Sequence, residues 1–181
     1  MAPRTARPTR RNAAHRHNAR SPDPEPRVPA LVLHLDYGVS RRGLPAAQSF
    51  RRWVSAALAV AGHGGAAELC IRLVGAREGR ALNRRYRGRD YATNVLSFPV
   101  ELPDGLTTPL LGDIALCAPI LAGEARAQGK TLRQHAAHLT VHGVLHLLGH
   151  DHQHARETAV METLEVGALA LLHLPDPYAC G

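Results

Sequence analysis

Residues His142-Gly-Val-Leu-His146-Leu-Leu-Gly149-His-Asp-His152 hold four histidines in eleven positions, three of them, His142, His146 and His152, spaced to meet, with Gly149 ahead of the last. On an α-helix the first two, four apart, lie on one face about 6 Å apart along the axis at ~1.5 Å per residue, so both rings reach one cation. A third ligand must come from another direction, because the next helical position, His150, stands a further turn along. Gly149 supplies the change of direction: in a left-handed conformation it stops the helix and lets His152 fold back as a third neutral nitrogen. Imidazole binds zinc at about 2.0–2.1 Å, and three protein ligands leave a fourth position for water, whose pKa then falls to about 7. The expected cofactor is one Zn2+ per chain on His142, His146 and His152; nickel or copper suits the same nitrogens.

Seven of the twelve histidines fall between positions 135 and 154, so some are surface residues. His135, His150 and His154 read as exposed. His138, one turn before His142 on the same face, reads as a residue that supports the ligands or lines the groove. Asp151 is the carboxylate to which a metal-bound histidine would donate its second N–H. Gly143 stands where the H-E-x-x-H pattern of metalloproteases carries its glutamate base. A glycine inside a helix costs about 1 kcal/mol relative to alanine, which implies that something approaches the backbone there.

The chain has the length of one domain, and its 45% hydrophobic content suits a soluble globule. No run reaches eighteen apolar residues, so no membrane span is expected. Cys70, Cys117 and Cys180 are scattered and odd in number, which reads as reduced thiols in a cytoplasmic protein. Charge is uneven: residues 1–29 hold seven arginines against Asp23 and Glu25, +5 of the total +7, leaving residues 30–181 at +2. That proline-rich, basic stretch lacks the large apolar residues needed to fold and is expected to be a disordered tail. It adds phosphate affinity or is a tolerated extension; its arginines also resemble a mitochondrial leader, which its prolines disfavour. A nucleic-acid face on the domain must therefore be argued from placement, not from the high pI.

From residue 30 onward, strand and helix patterns alternate. Strands are expected at 30–36, 68–74, 94–98 and 111–117. Helices are expected at 46–61, 76–87, 119–129, from a Thr131/Gln134 capping box to 148, and at 155–172. The result is an α+β domain: a small mixed four-stranded sheet packed with about five helices. The metal helix packs Leu139, Leu145 and Leu148 on the sheet, and an open sheet edge near 94–97 or 111–113 forms the facing wall.

The 142–152 run resembles the H-G-x-L-H-L-x-G-aromatic-D-H signature of the YbeY endoribonucleases, bacterial ribosomal RNA maturation factors. Two further stretches match in family order: Leu82-Asn-Arg-Arg-Tyr86-Arg87-Gly-Arg-Asp90-Tyr-Ala-Thr93-Asn94-Val-Leu-Ser97-Phe98-Pro99 and Leu111-Gly112-Asp113-Ile114. The likeness spans roughly residues 30–178; His150 departs from the usual aromatic. It implies a zincin-like metal cleft over the sheet and a single-strand-specific, metal-dependent endoribonuclease. The implied role is in 16S ribosomal RNA 3′-end maturation, ribosome biogenesis and ribosome quality control, with precursor rRNA and the small subunit as partners.

The resemblance also implies that Arg87, in its Y-R-G position, is functionally important; the alternative is that it caps the carbonyls of its helix. Arginine suits a phosphate because its planar fork pairs two oxygens at once. Catalysis would then rest on Arg87 and the metal-binding His142, with metal-activated water or the RNA 2′-hydroxyl as nucleophile. Arg89 and Lys130 are candidate RNA contacts, and Arg84 and Arg85 read as solvated. Ser97 and Asp113, at strand ends near the expected cleft, either touch RNA, orient a ligand or make structural hydrogen bonds. Rival readings are a zinc hydrolase of peptides or small amides, and a non-catalytic ribosome-assembly protein with structural zinc.

Overall fold

Leu31, Leu33, Leu35 and Tyr37 alternate with Val32, His34 and Asp36, a period of two that lays one set of side chains on a core. The computed structural model, which describes residues 30–179 apart from Asp104 and residues 151–153, forms strand β1 there (Leu31–Tyr37). The basic stretch 1–29, and the tail expected of it, lie outside the described residues. The elements that follow are α1 (Ala47–Val60), β2 (Ala67–Val74), α2 (Ala76–Arg87), β3 (Val95–Pro99), β4 (Leu110–Cys117), α3 (Ala118–Ala127), α4 (Leu132–Leu147) and α5 (Ala155–Leu171).

The strands order as β1-β2-β4-β3, with β1, β2 and β4 parallel and β3 antiparallel to β4. This is the mixed α+β sheet with five helices that the patterns predict. Of the two segments expected at an open edge, only the first is there. Leu111–Asp113 is interior, because β2 and β3 both pair with β4.

One face of the sheet presents Leu69, Ile71, Leu73, Ile114 and Leu116 to Phe50, Trp53 and Val54 of α1 and to Val141, Val144 and Leu145 of α4. Burying side chains of this size contributes roughly 1.5–3 kcal/mol each, so α4 is fixed by its packing in this core. The opposite face carries Cys70, Arg72, Phe98, Asp113 and Ala115, partly covered by α2. There Gly79 brings the helix close: a Cβ on it would stand 3.1 Å from Cys117 Sγ. Asn83, buried beneath α2, donates to the Tyr91 carbonyl at 2.7 Å and ties down the following loop.

The Leu111-Gly112-Asp113 motif has a backbone explanation. Glu68 pairs with Leu110 but Leu69 with Gly112, so Leu111 is the extra residue of a bulge. Gly112 has φ 137°, and a Cβ there would run into the Phe98 carbonyl oxygen.

Candidate metal centre

The Thr131/Gln134 capping box forms as expected at the start of α4: the Gln134 N–H donates to Thr131 Oγ1 at 3.2 Å, and the Thr131 N–H to Gln134 Oε1 at 2.8 Å. The helix ends on Gly149, left-handed at φ 87°. The Gly149 N–H donates to His146 O and the His150 N–H to Leu145 O, both at 3.0 Å, the two bonds of a Schellman turn. The chain is thereby turned off the helix axis directly before positions 151–153.

Between these ends His142 and His146 stand one turn apart and edge to face, ring centroids 4.6 Å apart, with their Nε2 atoms 3.1 Å from each other. Two imidazoles bound tetrahedrally at about 2.0–2.1 Å would hold their nitrogens about 3.3 Å apart, so this pair fits one zinc ion with little adjustment. Among the described residues no group of three or more His, Cys, Asp or Glu side chains surrounds an ion-sized space. The third expected ligand, His152, and the expected carboxylate Asp151 lie outside those residues.

The partner of His142 is Glu165, which the sequence reading missed. Glu165 projects from α5 and is 1% exposed. Its Oε1 accepts from His142 Nδ1 at 2.7 Å, and its Oε2 from His138 Nε2 at 2.8 Å and from the Tyr178 hydroxyl. Burial alone would push this carboxyl up, but hydrogen bonds from His138, His142 and Tyr178 bring it down to about 2. The Tyr178 hydroxyl is pushed up by burial and then by Glu165, so it stays protonated and donates. A carboxylate on Nδ1 fixes the tautomer of His142 and leaves the Nε2 lone pair directed at His146. Lys130, expected at RNA, instead donates its ammonium to Pro177 O at 2.9 Å, holding the segment that delivers Tyr178. A signal was present: Met161, Glu165, Ala168 and Leu169 form one buried stripe, and a carboxylate in such a stripe needs partners.

The family model "Endoribonuclease YbeY" matches residues 42–173. The chain belongs to this family. The Stenotrophomonas maltophilia (strain K279a) Endoribonuclease YbeY is 59% identical over 153 residues, 82% of this chain and 94% of its own length. The Alkalilimnicola ehrlichii protein of the same name is 59% identical over 154 residues, covering 83% and 93%. A solution structure of the Thermotoga maritima protein TM1509 shares the fold, with TM-score 0.53 and 21% identity over 82% of this chain and all of its own.

Against this YbeY background the other expected residues separate by sheet face. Ser97, on β3, faces α4, and a Cβ on Gly143 would meet Ser97 Oγ at 3.2 Å and Ile114 Cδ1 at 3.0 Å. The close approach implied by Gly143 is therefore the sheet itself. Asp113 alternates with Ile114 and lies on the opposite face, with α2. Arg87 is exposed in the last turn of α2, ahead of left-handed Gly88, and Arg89 donates to the Tyr91 hydroxyl at 3.2 Å. Neighbouring Tyr86 packs edge-on to Phe98 of β3, ring centroids 4.8 Å apart, so one edge strand separates the end of α2 from α4. His150 is half-buried and His154 exposed, but His135 is not a surface residue. It is 3% exposed because α3 packs over the start of α4, and its Nε2 bonds Glu124 Oε2 at 2.7 Å. Glu124 in turn accepts from Asn94 Nδ2 at 3.1 and 3.2 Å, anchoring the start of β3.

Proposed function

We propose that this YbeY family chain is a zinc-dependent endoribonuclease that cuts single-stranded RNA, acting on precursor ribosomal RNA at the 16S 3′ end and in ribosome quality control. The observation that carries the reading is the His142/His146 pair, its Nε2 atoms 3.1 Å apart and its first ring held by a buried carboxylate. One zinc per chain would be held by His142, His146 and His152. Bound there, zinc supplies Lewis acidity to a phosphodiester at neutral pH.

The chain's own residues do the rest. Glu165 keeps the Nδ1 proton of His142 in place, so the opposite nitrogen remains a lone-pair donor. Arg87 contributes a guanidinium fork for the charge that builds on the phosphate, reached by RNA that crosses the β3 edge. The peptidase alternative is disfavoured by more than the missing glutamate, because Ser97 and Ile114 fill the space a side chain at position 143 would need. A cytoplasmic setting is supported by the free thiols Cys70 and Cys117, both pushed up by burial. Among the described residues no helix is long and apolar enough to cross a membrane.

Metal analysis of wild type and His146→Ala, paired with cleavage of precursor ribosomal RNA, tests the reading. Wild type should carry one zinc per chain and cut single-stranded regions; the variant should lose both. Full zinc in the variant, or undiminished cleavage, overturns it. A 2′-deoxy sugar at the scissile position separates the two nucleophiles, since only the water route still cuts it.

A further inference from the structure

Residues 76–90 hold six arginines against Glu78 and Asp90, a net +4, whereas residues 30–181 together carry only +2. The net positive charge of the domain is thus concentrated on α2 and the turn after it, on the sheet face away from the histidines. Arg77, Arg80, Arg84 and Arg85 line a surface depression of about 500 Å3. Arg80 is neutralised by Asp90 through contacts of 2.9 and 2.7 Å. Arg77 and Arg84 stand two helical turns apart, about 10 Å along the axis.

Beside the depression lies a second feature. Tyr86 is 56% exposed and backed edge-on by Phe98, and the Arg85 guanidinium stands 5.4 Å from the Tyr86 ring centroid. The guanidinium lies over one face of the ring, and when it swings onto a phosphate it leaves that face as a platform for a base. A groove of about 360 Å3 runs from it along the sheet past Leu82 and Asp113. In the groove Arg72 donates to Glu78 at 2.9 Å, so that pair cancels and leaves no surplus positive charge for phosphate, while the exposed Asp113 carboxylate can accept from the amino groups of bases. Phosphates on one side of the helix and bases on the other is the arrangement that single-strand binders use. An acidic peptide would satisfy the arginines but would leave the platform without purpose.

The geometry points to a second RNA-anchoring surface on α2, separate from the metal centre, where Arg77, Arg84 and Arg85 hold backbone phosphates and Tyr86 stacks an unpaired base. It rests on the reading of this chain as an RNA enzyme, and it sets substrate grip and strand preference, leaving the cutting step alone.

The test uses the zinc-loaded full chain and a fluorescent single-stranded RNA twelve-mer with 2′-O-methyl sugars, titrated by anisotropy from 50 to 300 mM KCl. Each lost phosphate contact on a single strand flattens the log affinity against log salt slope by about 0.7, so Arg77→Gln/Arg84→Gln should flatten it by about 1.4. The matched charge removal Arg42→Gln/Arg52→Gln, on exposed residues elsewhere, should leave the slope at the wild-type value. Tyr86→Leu should weaken binding about tenfold at unchanged slope, with Tyr86→Phe restoring it. Equal slopes for ridge and control variants, or full affinity in Tyr86→Leu, overturn the proposal. A polyglutamate peptide that competes as well as RNA replaces it with a protein-binding surface. Cleavage at saturating RNA is measured in parallel and should match wild type in the ridge variants. If wild type cuts no RNA, the proposed function fails while the binding result still decides this surface.

Discussion

The two faces of one small sheet handle charge in opposite ways. On the α4/α5 side, Glu165 is buried and accepts from His138, His142 and Tyr178. On the α2 side six arginines crowd into fifteen residues, most of them exposed. Short, branched or ring side chains on packed helices fix atoms to within a fraction of an ångström, which ligating nitrogens require. Long side chains on an exposed helix fix only an average potential, which suffices for a polyanion. Residues on the first face should therefore respond to substitution through folding and metal affinity, and those on the second, Arg87 apart, through salt-dependent binding with little change in stability.

The sharpest way to break that contrast is Gly143→Glu, which writes the H-E-x-x-H pattern into α4. The new carboxylate would be pressed against Ile114 and Ser97, costing several kcal/mol, so the variant should fail to fold and not turn into a peptidase. A folded variant with peptidase activity would show the space to be adaptable. Glu165→Gln comes next: with one acceptor oxygen left for three donors, zinc affinity should fall about 10–100-fold, read by competition with a chromogenic chelator. Wild-type affinity would mean that His142 is held by something else.

Acid unfolding of the metal-free protein probes the same carboxylate. Its folded value of about 2 lies below an unfolded value near 4.3, so the unfolded state binds more protons between them and stability falls as pH drops. The contribution is complete above about pH 5 and disappears towards pH 2. Denaturant titrations should show a steeper acid limb for wild type than for Glu165→Gln, and parallel limbs would refute the assignment. Thr131→Ala should cost about 1 kcal/mol by removing the cap of α4. At the far end of the scale, Arg84→Gln on the α2 ridge should change the unfolding midpoint by less than about 0.5 kcal/mol equivalent. A larger loss would mean that α2 is stabilised by its charges.

Local rules explain what was legible in the sequence. Periods of two and 3.6 gave the strands and helices, Thr131 and Gln134 marked where α4 begins, and Gly149 marked where it ends, because caps and left-handed glycines are decided within a few residues. The spacing of His142 and His146 alone gave a shared helical face. Long-range packing decided what was not legible. Glu165 is twenty-three residues from His142 and meets it only because α5 lies along α4; His135 is buried only because α3 covers it. The need for Gly143 and Gly112 is set by strands the sequence does not place beside them. Asp113 and Ser97 look equivalent at strand ends, yet a one-residue difference in register sends them to opposite faces. Sequence by itself determined the spaced histidine pair, its helix and the local charge, since those depend on neighbours along the chain. Tertiary structure alone decided which carboxylate steadies the pair and which face each charge occupies, since burial and register are properties of contacts between distant segments.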